Sequence, residues 1–582
     1  MDIIQLLPEN VANQIAAGEV IQRPASAVKE MLENALDAGS TEIQLFVKDA
    51  GRTLLQVVDN GCGMSEKDVK ICAQRHATSK IRTANDLLDI QSMGFRGEAM
   101  ASIAAIAHVE IKSKLTTQEL GSHLIIEGGK IKSYKNCATS NGTSIKVKNL
   151  FYNVPARRNF LKSDQVEMRH ITEEFTRIAL SNEKVKMQLF HNNKELLHLT
   201  SSNFRKRIVN VIGEKKNKTL VPIEEETTIV KITGYIGKPE SAKRTRGEQY
   251  FFVNRRFIKS HYLQHAVIKA FEEVIPQNYF PSYFIKLEIN PELIDINIHP
   301  TKTEIKFEDE QAIYAIIRST VKRSIGTYNI APSIDFSQEL AFNINTLNAE
   351  KKPINQPTIK IDSTYNPFDT QNPSHTEPEI RLEKEKWEQP TFLEEFDDSM
   401  HDASQIGNCF ILAPTTEGLV LIHQRRAHKR ILFEYFKNTL KEQKGQSQQL
   451  IFEKEIILNK VDIEFINSMQ KDLNAVGFIF KINKEKLIIS GVPTECQEEN
   501  LEDIIEELIE QAKNSEKLDL KQKDYLAKSL SRSLAINKIK QLTNKEIRSL
   551  KDELLKCETP SVCPSGKRTM INLNISDLEK YF

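Results

Sequence analysis

The sequence predicts a mixed α/β protein of the α+β type, in which two folded α/β blocks are joined by a disordered linker. Three observations predict it. Up to about residue 330, short β-type runs such as Leu54–Val58 alternate with helix-spaced runs such as Ala25 to Ala38. Between about Ala331 and Met400 that periodicity gives way to Asn, Pro, Thr, Ser and acids, as in Tyr365-Asn366-Pro367-Phe368. Such a stretch buries too little apolar surface to offset its chain entropy. From Gln405-Ile406-Gly407 the alternation resumes, with a strand at Gly418–Ile422 and a long amphipathic helix from Leu501 to Lys513. The 582 residues have room for two to four domains. The expected bounds are a first subdomain over 1–200, a second α/β subdomain over 201–330, a linker over 331–400 and a closing α/β domain over 401–582, with no internal repeat.

The net charge of +1 hides a split along the chain. Residues 1–330 carry about +8, 331–400 about −8 and 401–582 about +1. A basic front half suits an anionic partner. No run of eighteen apolar residues occurs, the longest being a helix-like stretch from Ala99 to Val109, so no membrane span is expected. Met1-Asp2-Ile3-Ile4 has an acid where a secretory signal has lysines, which reads as cytoplasmic. The seven cysteines are scattered without Cys-x-x-Cys spacing, and read as reduced thiols.

Taken in order, the first element is a helix. Pro24 suits its first turn and Gly39 its end. Glu30 and Asn34, four residues apart, share one face and can converge on one point. By themselves they are a solvated polar stripe. The strand Leu54–Val58 then runs into Asp59-Asn60-Gly61-Cys62-Gly63-Met64. An Asp at a strand end can accept from an exocyclic amine, with Gly61 and Gly63 letting the backbone approach a planar base; alone, the segment is equally a turn. Next come Arg75-His76-Ala77-Thr78-Ser79-Lys80-Ile81 and Met93-Gly94-Phe95-Arg96-Gly97-Glu98-Ala99. Glycines before a helix present N–H groups and a positive dipole end to phosphate, or simply form a loop. Asn141-Gly142-Thr143 leads into a strand that could floor the pocket. No Gly-x-x-x-x-Gly-Lys-[Ser/Thr] P-loop occurs.

These four motifs, in this order and spacing, resemble the Bergerat ATP fold shared by gyrase, the heat-shock chaperone, histidine kinases and the MutL family. Within that group the chain resembles MutL through Ile15-Ala16-Ala17-Gly18-Glu19-Val20, Arg23-Pro24-Ala25-Ser26, Glu33-Asn34-Ala35-Leu36-Asp37-Ala38-Gly39, Arg75–Lys80, Gly94–Ala99, Val154-Pro155-Ala156-Arg157-Arg158 and Ile298-His299-Pro300-Thr301-Lys302. The resemblance implies an N-terminal ATP-binding α/β sandwich, slow ATP hydrolysis with magnesium, a homodimer, and mismatch repair in concert with MutS and a repair helicase. It makes Glu30 the general base, Asn34 the magnesium ligand, Asp59 the reader of the adenine amine and Lys302 a γ-phosphate contact. Residues of about 72–95 become a lid, with Thr78, Ser79, Lys80, Gly94, Phe95, Arg96, Gly97, Glu98 and Thr143 around the nucleotide.

A second cluster of cations runs from Arg205 to Lys218 and from Lys243 to Lys259, interleaved with Tyr250, Phe251, Phe252 and Phe257. Its density suits phosphate neutralisation without base readout. The aromatics read as strand core. The resemblance places this surface in a DNA channel, and the expected contacts are Arg157, Arg158, Arg244, Arg246, Arg255, Arg256 and Lys259.

In many MutL proteins the last domain both dimerises and nicks DNA through a metal-binding Asp-Gln-His-Ala-x-x-Glu stretch. Here His423 stands for the acid, Arg425 for the His and Lys429 for the Glu, while Ser565 replaces the histidine of Cys-Pro-His-Gly-Arg. Two cations where ligands belong repel a divalent metal. No zinc or manganese site, and no endonuclease, is expected; the alternative is a residual nicking site at His423, His428 and Cys563. Gln448-Gln449-Leu450-Ile451-Phe452 resembles a sliding-clamp-binding peptide without its usual proline, Gln448, Leu450, Ile451 and Phe452 being the expected contacts. A topoisomerase or kinase on the same ATP fold finds no tyrosine cleavage domain or phosphoacceptor histidine box to support it.

Overall fold

The structure, a computed structural model, describes residues 17–83, 92–94, 97–243, 248–277, 279–295, 305–330, 403–415, 418–483, 486–496, 501–514, 522–536 and 541–575. The expected linker over 331–400 lies outside them. Among the described residues no helix is long and apolar enough to cross a membrane.

Helix α1 (Pro24–Asp37) starts where extended Arg23 meets Pro24, whose missing N–H is no loss in a first turn. It buries Ala25, Val28, Met31, Leu32 and Ala35, and Gly39 at φ +72° ends it. Strands β1 (Glu42–Lys48) and β2 (Leu54–Asp59) follow, then α2 (Glu66–Ile71), started by a Ser65/Asp68 capping box. Next come α3 (Ala99–Ile106), β3 (His108–Lys114), β4 (Gly121–Glu127), β5 (Lys130–Cys137) and β6 (Gly142–Lys148). Helices α4 (Pro155–Phe160) and α5 (Asp164–Ser181) lead to β7 (Lys186–His191) and β8 (Lys194–Leu199). The strands form one sheet in the order β5-β4-β3-β6-β2-β1-β7-β8. Only the β1/β7 pair within it is parallel. Burial alternates along β1, β2 and β3, so one face carries the core under α1, α3 and α5 and the other is wetter. The stretch from Ala99 to Val109 is therefore not one helix: it ends at Ile106, and His108 already belongs to β3.

Beyond α6 (Phe204–Ile212) a second sheet is built from β9 (Leu220–Glu226), β10 (Lys231–Gly237), β11 (Gln249–Val253), β12 (Arg256–Ile258) and β13 (Tyr283–Glu288), with α7 (His261–Phe271) preceding β13. Its order is β12-β11-β13-β10-β9. A short pair, β14 (Ile294–Asp295) and β15 (Lys306–Phe307), and the helix α8 (Glu310–Ile330) complete it. Both faces of this sheet carry packing partners, although β9 keeps Pro222, Glu224 and Glu226 exposed. Phe251, Tyr283 and Ile285 share a core with α7 and α8, whereas Phe252 and Phe284 join the core of the first sheet. Tyr250 stacks on Phe284 with centroids 5.5 Å apart, and the Arg177 guanidinium of α5 lies 4.4 Å over Phe257.

The last block has β16 (Ser404–Ile406), β17 (Phe410–Thr415) and β18 (Gly418–His423) before α9 (Gln424–Glu442). Strand β19 (Ser447–Ile457), helices α10 (Lys460–Ser468) and α11 (Gln470–Ala475), and strands β20 (Ile479–Asn483) and β21 (Lys486–Pro493) come next. Helices α12 (Leu501–Asn514), α13 (Gln522–Ser533) and α14 (Asn544–Leu555) precede β22 (Met570–Asn574). Two sheets result, β16-β17-β18-β22 and β19-β21-β20, and α9 packs on α13 and α14 between their cores.

Candidate active site

One face of α1 carries Glu30 and Asn34, both half-buried, and Asp37 one turn further on. The Lys80 ammonium bridges the last two, donating to Asn34 Oδ1 at 2.9 Å and Asp37 Oδ2 at 2.5 Å. Asp37 also accepts from two consecutive backbone amides, Met93 N at 2.9 Å and Gly94 N at 3.1 Å. Two described segments, around residue 80 and over 92–94, thus close on the end of α1. Gly97 in turn lies against the first of them, since a Cβ there, where φ is +64°, would come within 2.6 Å of the Ala77 carbonyl oxygen.

Asp59 ends β2 and is nearly buried. Gly61 N donates to its Oδ1 at 2.9 Å, as does Ser40 Oγ at 3.3 Å. Burial raises its carboxyl above the ordinary range, against hydrogen bonds from Gly61, Ser40 and the Thr143 backbone that favour the ionised form. Thr143 faces Asp59 across the β2/β6 ladder, and its hydroxyl lies 2.9 Å from that of Ser113. The β6 strand begins in a left-handed residue, Gly142 at φ +101°, where a Cβ would stand 2.2 Å from the Asp59 carbonyl oxygen. Only glycine lets β6 come this close to the strand end that presents the carboxylate.

Of the residues expected around a nucleotide, Glu30, Asn34, Asp59, Gly61, Gly63, Thr78, Ser79, Lys80, Gly94, Gly97, Glu98 and Thr143 are described; Phe95, Arg96 and Lys302 lie outside the described residues. Asp37 and Ser40 were given no role by the sequence reading. Asp37 continues the helical series Glu30, Asn34, Asp37, and that spacing is the signal that finds it.

The basic surface needs correction. Arg158, Arg255 and Lys259 are exposed, and Arg244 and Arg246 lie outside the described residues. Arg256 faces inward, 7% exposed, with Nη2 donating to the carbonyl oxygens of Ser92 at 3.1 Å and Met93 at 3.0 Å. The left-handed turn at Asn254 and Arg255 leaves Arg255 exposed while Arg256, the first residue of β12, is buried, so the two do not form one patch. Arg157 donates to Ile21 O at 3.1 Å and lies against Gly18, which leaves it half-buried. Neither Arg256 nor Arg157 is displayed as a surface phosphate contact.

In the last block, Lys429 is held below its ordinary pKa by burial first and then by Arg425 and Arg532, with Cys563 and Glu507 acting the other way. Cys563 is buried, and His428 Nδ1 lies 3.1 Å from the Ile536 amide that donates to it. Along β19 the ladder with β21 loses register between Gln449 and Lys454. Gln448 is exposed there, Ile451 is 86% exposed and Phe452 84% exposed. Leu450, expected to be displayed with them, turns into the core instead.

Family models match three parts of the chain: the histidine kinase-, DNA gyrase B- and HSP90-like ATPase over residues 22–152, the DNA mismatch repair protein C-terminal domain over 208–326, and the MutL C-terminal dimerisation domain over 403–542. The DNA mismatch repair protein MutL of Flavobacterium psychrophilum is 46% identical over 610 residues, spanning 100% of this chain and 99% of that protein. The protein of the same name from Christiangramia forsetii is 43% identical, spanning 100% of both. Among solved structures, the Aquifex aeolicus MutL ATPase domain complexed with ADP is similar over 47% of this chain and 94% of that one, at 25% identity and a TM-score of 0.38.

The strained approach at Gly142 yields a test of how the site is built. Gly142→Ala is expected to destabilise the fold by about 2 kcal/mol, because both the positive φ and the contact with the Asp59 carbonyl penalise a Cβ. Urea unfolding checks it, and an unchanged midpoint would show that β6 relaxes freely.

Proposed function

Because this chain belongs to the MutL family of DNA mismatch repair proteins, we propose that it is an ATP-timed homodimeric matchmaker. It couples mismatch recognition by MutS to downstream repair proteins, a repair helicase and the sliding clamp among them. It carries a GHKL-type ATPase domain and a C-terminal dimerisation domain. The observation that carries the reading is the convergence of Asn34, Asp37, Lys80 and the amides of residues 93–94 at the C-terminal end of α1, with Glu30 one turn back on the same face and Asp59 at the end of β2.

The donor set fits ATP with magnesium. Asn34 Oδ1 and the Asp37 carboxylate are hard oxygen donors already engaged by a cation, and the Asp59 carboxylate suits an exocyclic amine. Asn34 would hold the magnesium, which when bound supplies charge neutralisation for the phosphates. Glu30 orients the attacking water and accepts its proton. Lys80 transfers its ammonium from Asp37 to the phosphates, and Lys302 meets the γ-phosphate. The N-terminus of α3 receives the remaining phosphate charge.

The exposed cations Arg158, Arg255 and Lys259 support weak, salt-sensitive DNA binding without sequence preference, with Arg244 and Arg246 proposed beside them. The display of Ile451 and Phe452 on a strand that has lost its register supports a clamp-binding peptide. The gathering of Lys429, Arg425 and Arg532 beside Cys563 supports a domain that dimerises without cutting DNA, since their field opposes a divalent metal.

Three outcomes are expected. Glu30→Ala retains ATP binding but loses about 10²- to 10⁴-fold in hydrolysis, while Asn34→Ala loses both; equilibrium binding and steady-state turnover separate the two, and equal loss of binding in both variants refutes the roles. Purified protein gives no manganese-dependent nicking of supercoiled plasmid above background, even with a loaded clamp; nicking abolished by His423→Ala or Cys563→Ala would make it an endonuclease. Ile451→Ala with Phe452→Ala weakens clamp binding by about tenfold or more without moving the unfolding midpoint, since both side chains are exposed; wild-type affinity by calorimetry removes this strand from the clamp interface.

A further inference from the structure

Arg256 sits where a cation has a structural purpose. Its hairpin is fixed on both sides: the Asn254 side chain donates to Ile289 O at 2.8 Å and accepts from Ile289 N at 3.0 Å, and Phe257 lies beneath Arg177. The turn residues Asn254 and Arg255 take φ of +47° and +68°, which sends Arg255 outward and Arg256 toward α1. There the guanidinium is nearly buried, and its Nη1 has no hydrogen-bond partner among the described residues. A buried charge with an unsatisfied donor is a costly way to fill space, so packing does not account for it.

What it holds are two consecutive peptide units. The carbonyl of Ser92 and the amide of Met93 belong to one unit, the carbonyl of Met93 and the amide of Gly94 to the next. Arg256 takes both carbonyls, at 3.1 and 3.0 Å, and Asp37 takes both amides, at 2.9 and 3.1 Å. Each peptide dipole is thus strung between a cation on the second subdomain and an anion on the site helix, an arrangement in which the bonds polarise one another. Asp37 passes the connection on through Lys80 to Asn34.

We propose that Arg256 is a positioning residue for nucleotide binding: it fixes the peptides 92–94 on Asp37 and so couples the second subdomain to the phosphate side of the ATP site. This rests on the reading of Asn34 and Lys80 as nucleotide-binding residues. The two arginines of the hairpin then divide the labour, Arg255 facing DNA and Arg256 the ATP site.

The test compares full-length Arg256→Met, Arg256→Lys and Arg255→Met with the wild type. Hydrogen–deuterium exchange without nucleotide reads the amides of Met93 and Gly94. Steady-state kinetics give KM for ATP and kcat, and DNA binding is followed against salt. Arg256→Met is expected to speed exchange at residues 93–94 and raise KM about tenfold with kcat changed less than about twofold, leaving the salt slope unaltered. Arg256→Lys recovers part of both effects. Arg255→Met lowers the salt slope by about one and leaves exchange at 93–94 as in the wild type. Wild-type exchange and KM in Arg256→Met overturn the proposal, and a salt slope reduced by about one in that variant returns Arg256 to the DNA surface. If instead Asn34→Ala binds ATP normally while Arg256→Met still speeds exchange, the site reading fails and the clamp on the peptides stands. Should Arg256→Met unfold, the retained charge in Arg256→Lys keeps the exchange comparison available.

Discussion

The carboxylate of Asp37 accepts from the Lys80 ammonium and from the amides of Met93 and Gly94, donors that lie on two loop segments, around residue 80 and over 92–94. All three must find it in one place, and that place is set by the burial of α1. Ala25, Val28, Met31, Leu32 and Ala35 lock the helix to the one-sided sheet and leave the polar face where both loops reach it. A carboxylate that gathers loops this way turns local hydrogen bonds into long-range order, because each is anchored to a body that cannot turn. The loops gain a fixed conformation, and the helix gains partners for an acid that would otherwise sit half-buried beside Asn34.

The same logic supports the proposed coupling of the second subdomain to the site. One side of its sheet packs on α7 and α8, and the other packs on the first sheet's core through Phe252 and Phe284, leaving the edge strand β9 exposed at Pro222, Glu224 and Glu226. A sheet gripped on both sides transmits displacement instead of absorbing it. The hairpin at its edge therefore carries Arg256 into the neighbourhood of α1 as a rigid finger.

Much of this was legible in the sequence wherever a single period governed the outcome. The helix with Glu30 and Asn34 and the strand ending in Asp59 follow from 3.6-residue spacing and from a buried-looking run, while the tight approach of Gly142 to Asp59 does not. Asp37 shared that period and was passed over because no chemistry was asked of it. Arg256 was misplaced for a different reason. In a sheet packed on both faces, an inward arginine and an outward one have the same immediate neighbours in sequence, and only the tertiary partner, here the carbonyls of Ser92 and Met93, separates them. Leu450, Ile451 and Phe452 teach a related lesson: they lie in extra residues that bulge out of β19 between its pairings to Gly491 and Ile489 of β21, some forty residues away, and only that distant partner defines the bulge. Helix α3 ends before the apolar run does because Val109 is paired in β3, so apolarity alone could not mark the boundary.

Lys80 illustrates how a site built for charged cargo holds its shape by itself. Asn34 Oδ1 and the Asp37 carboxylate are partly buried, and without a cation they would repel a second anion and leave acceptors unsatisfied. A lysine satisfies both with a flexible four-carbon stem, so the same ammonium can serve the carboxylate in one state and phosphate oxygens in another. Arginine, with a planar fork matched to one partner, would hold more firmly and exchange less readily. A timer needs two states separated by only a few kcal/mol, because a ligand shifts an equilibrium by no more than its differential affinity for them. Placing the fixed guanidinium of Arg256 on backbone carbonyls and the mobile ammonium of Lys80 on side-chain oxygens assigns rigidity to the scaffold and exchange to the ligand-facing side. That division is what the proposed ATP timer requires of its charges.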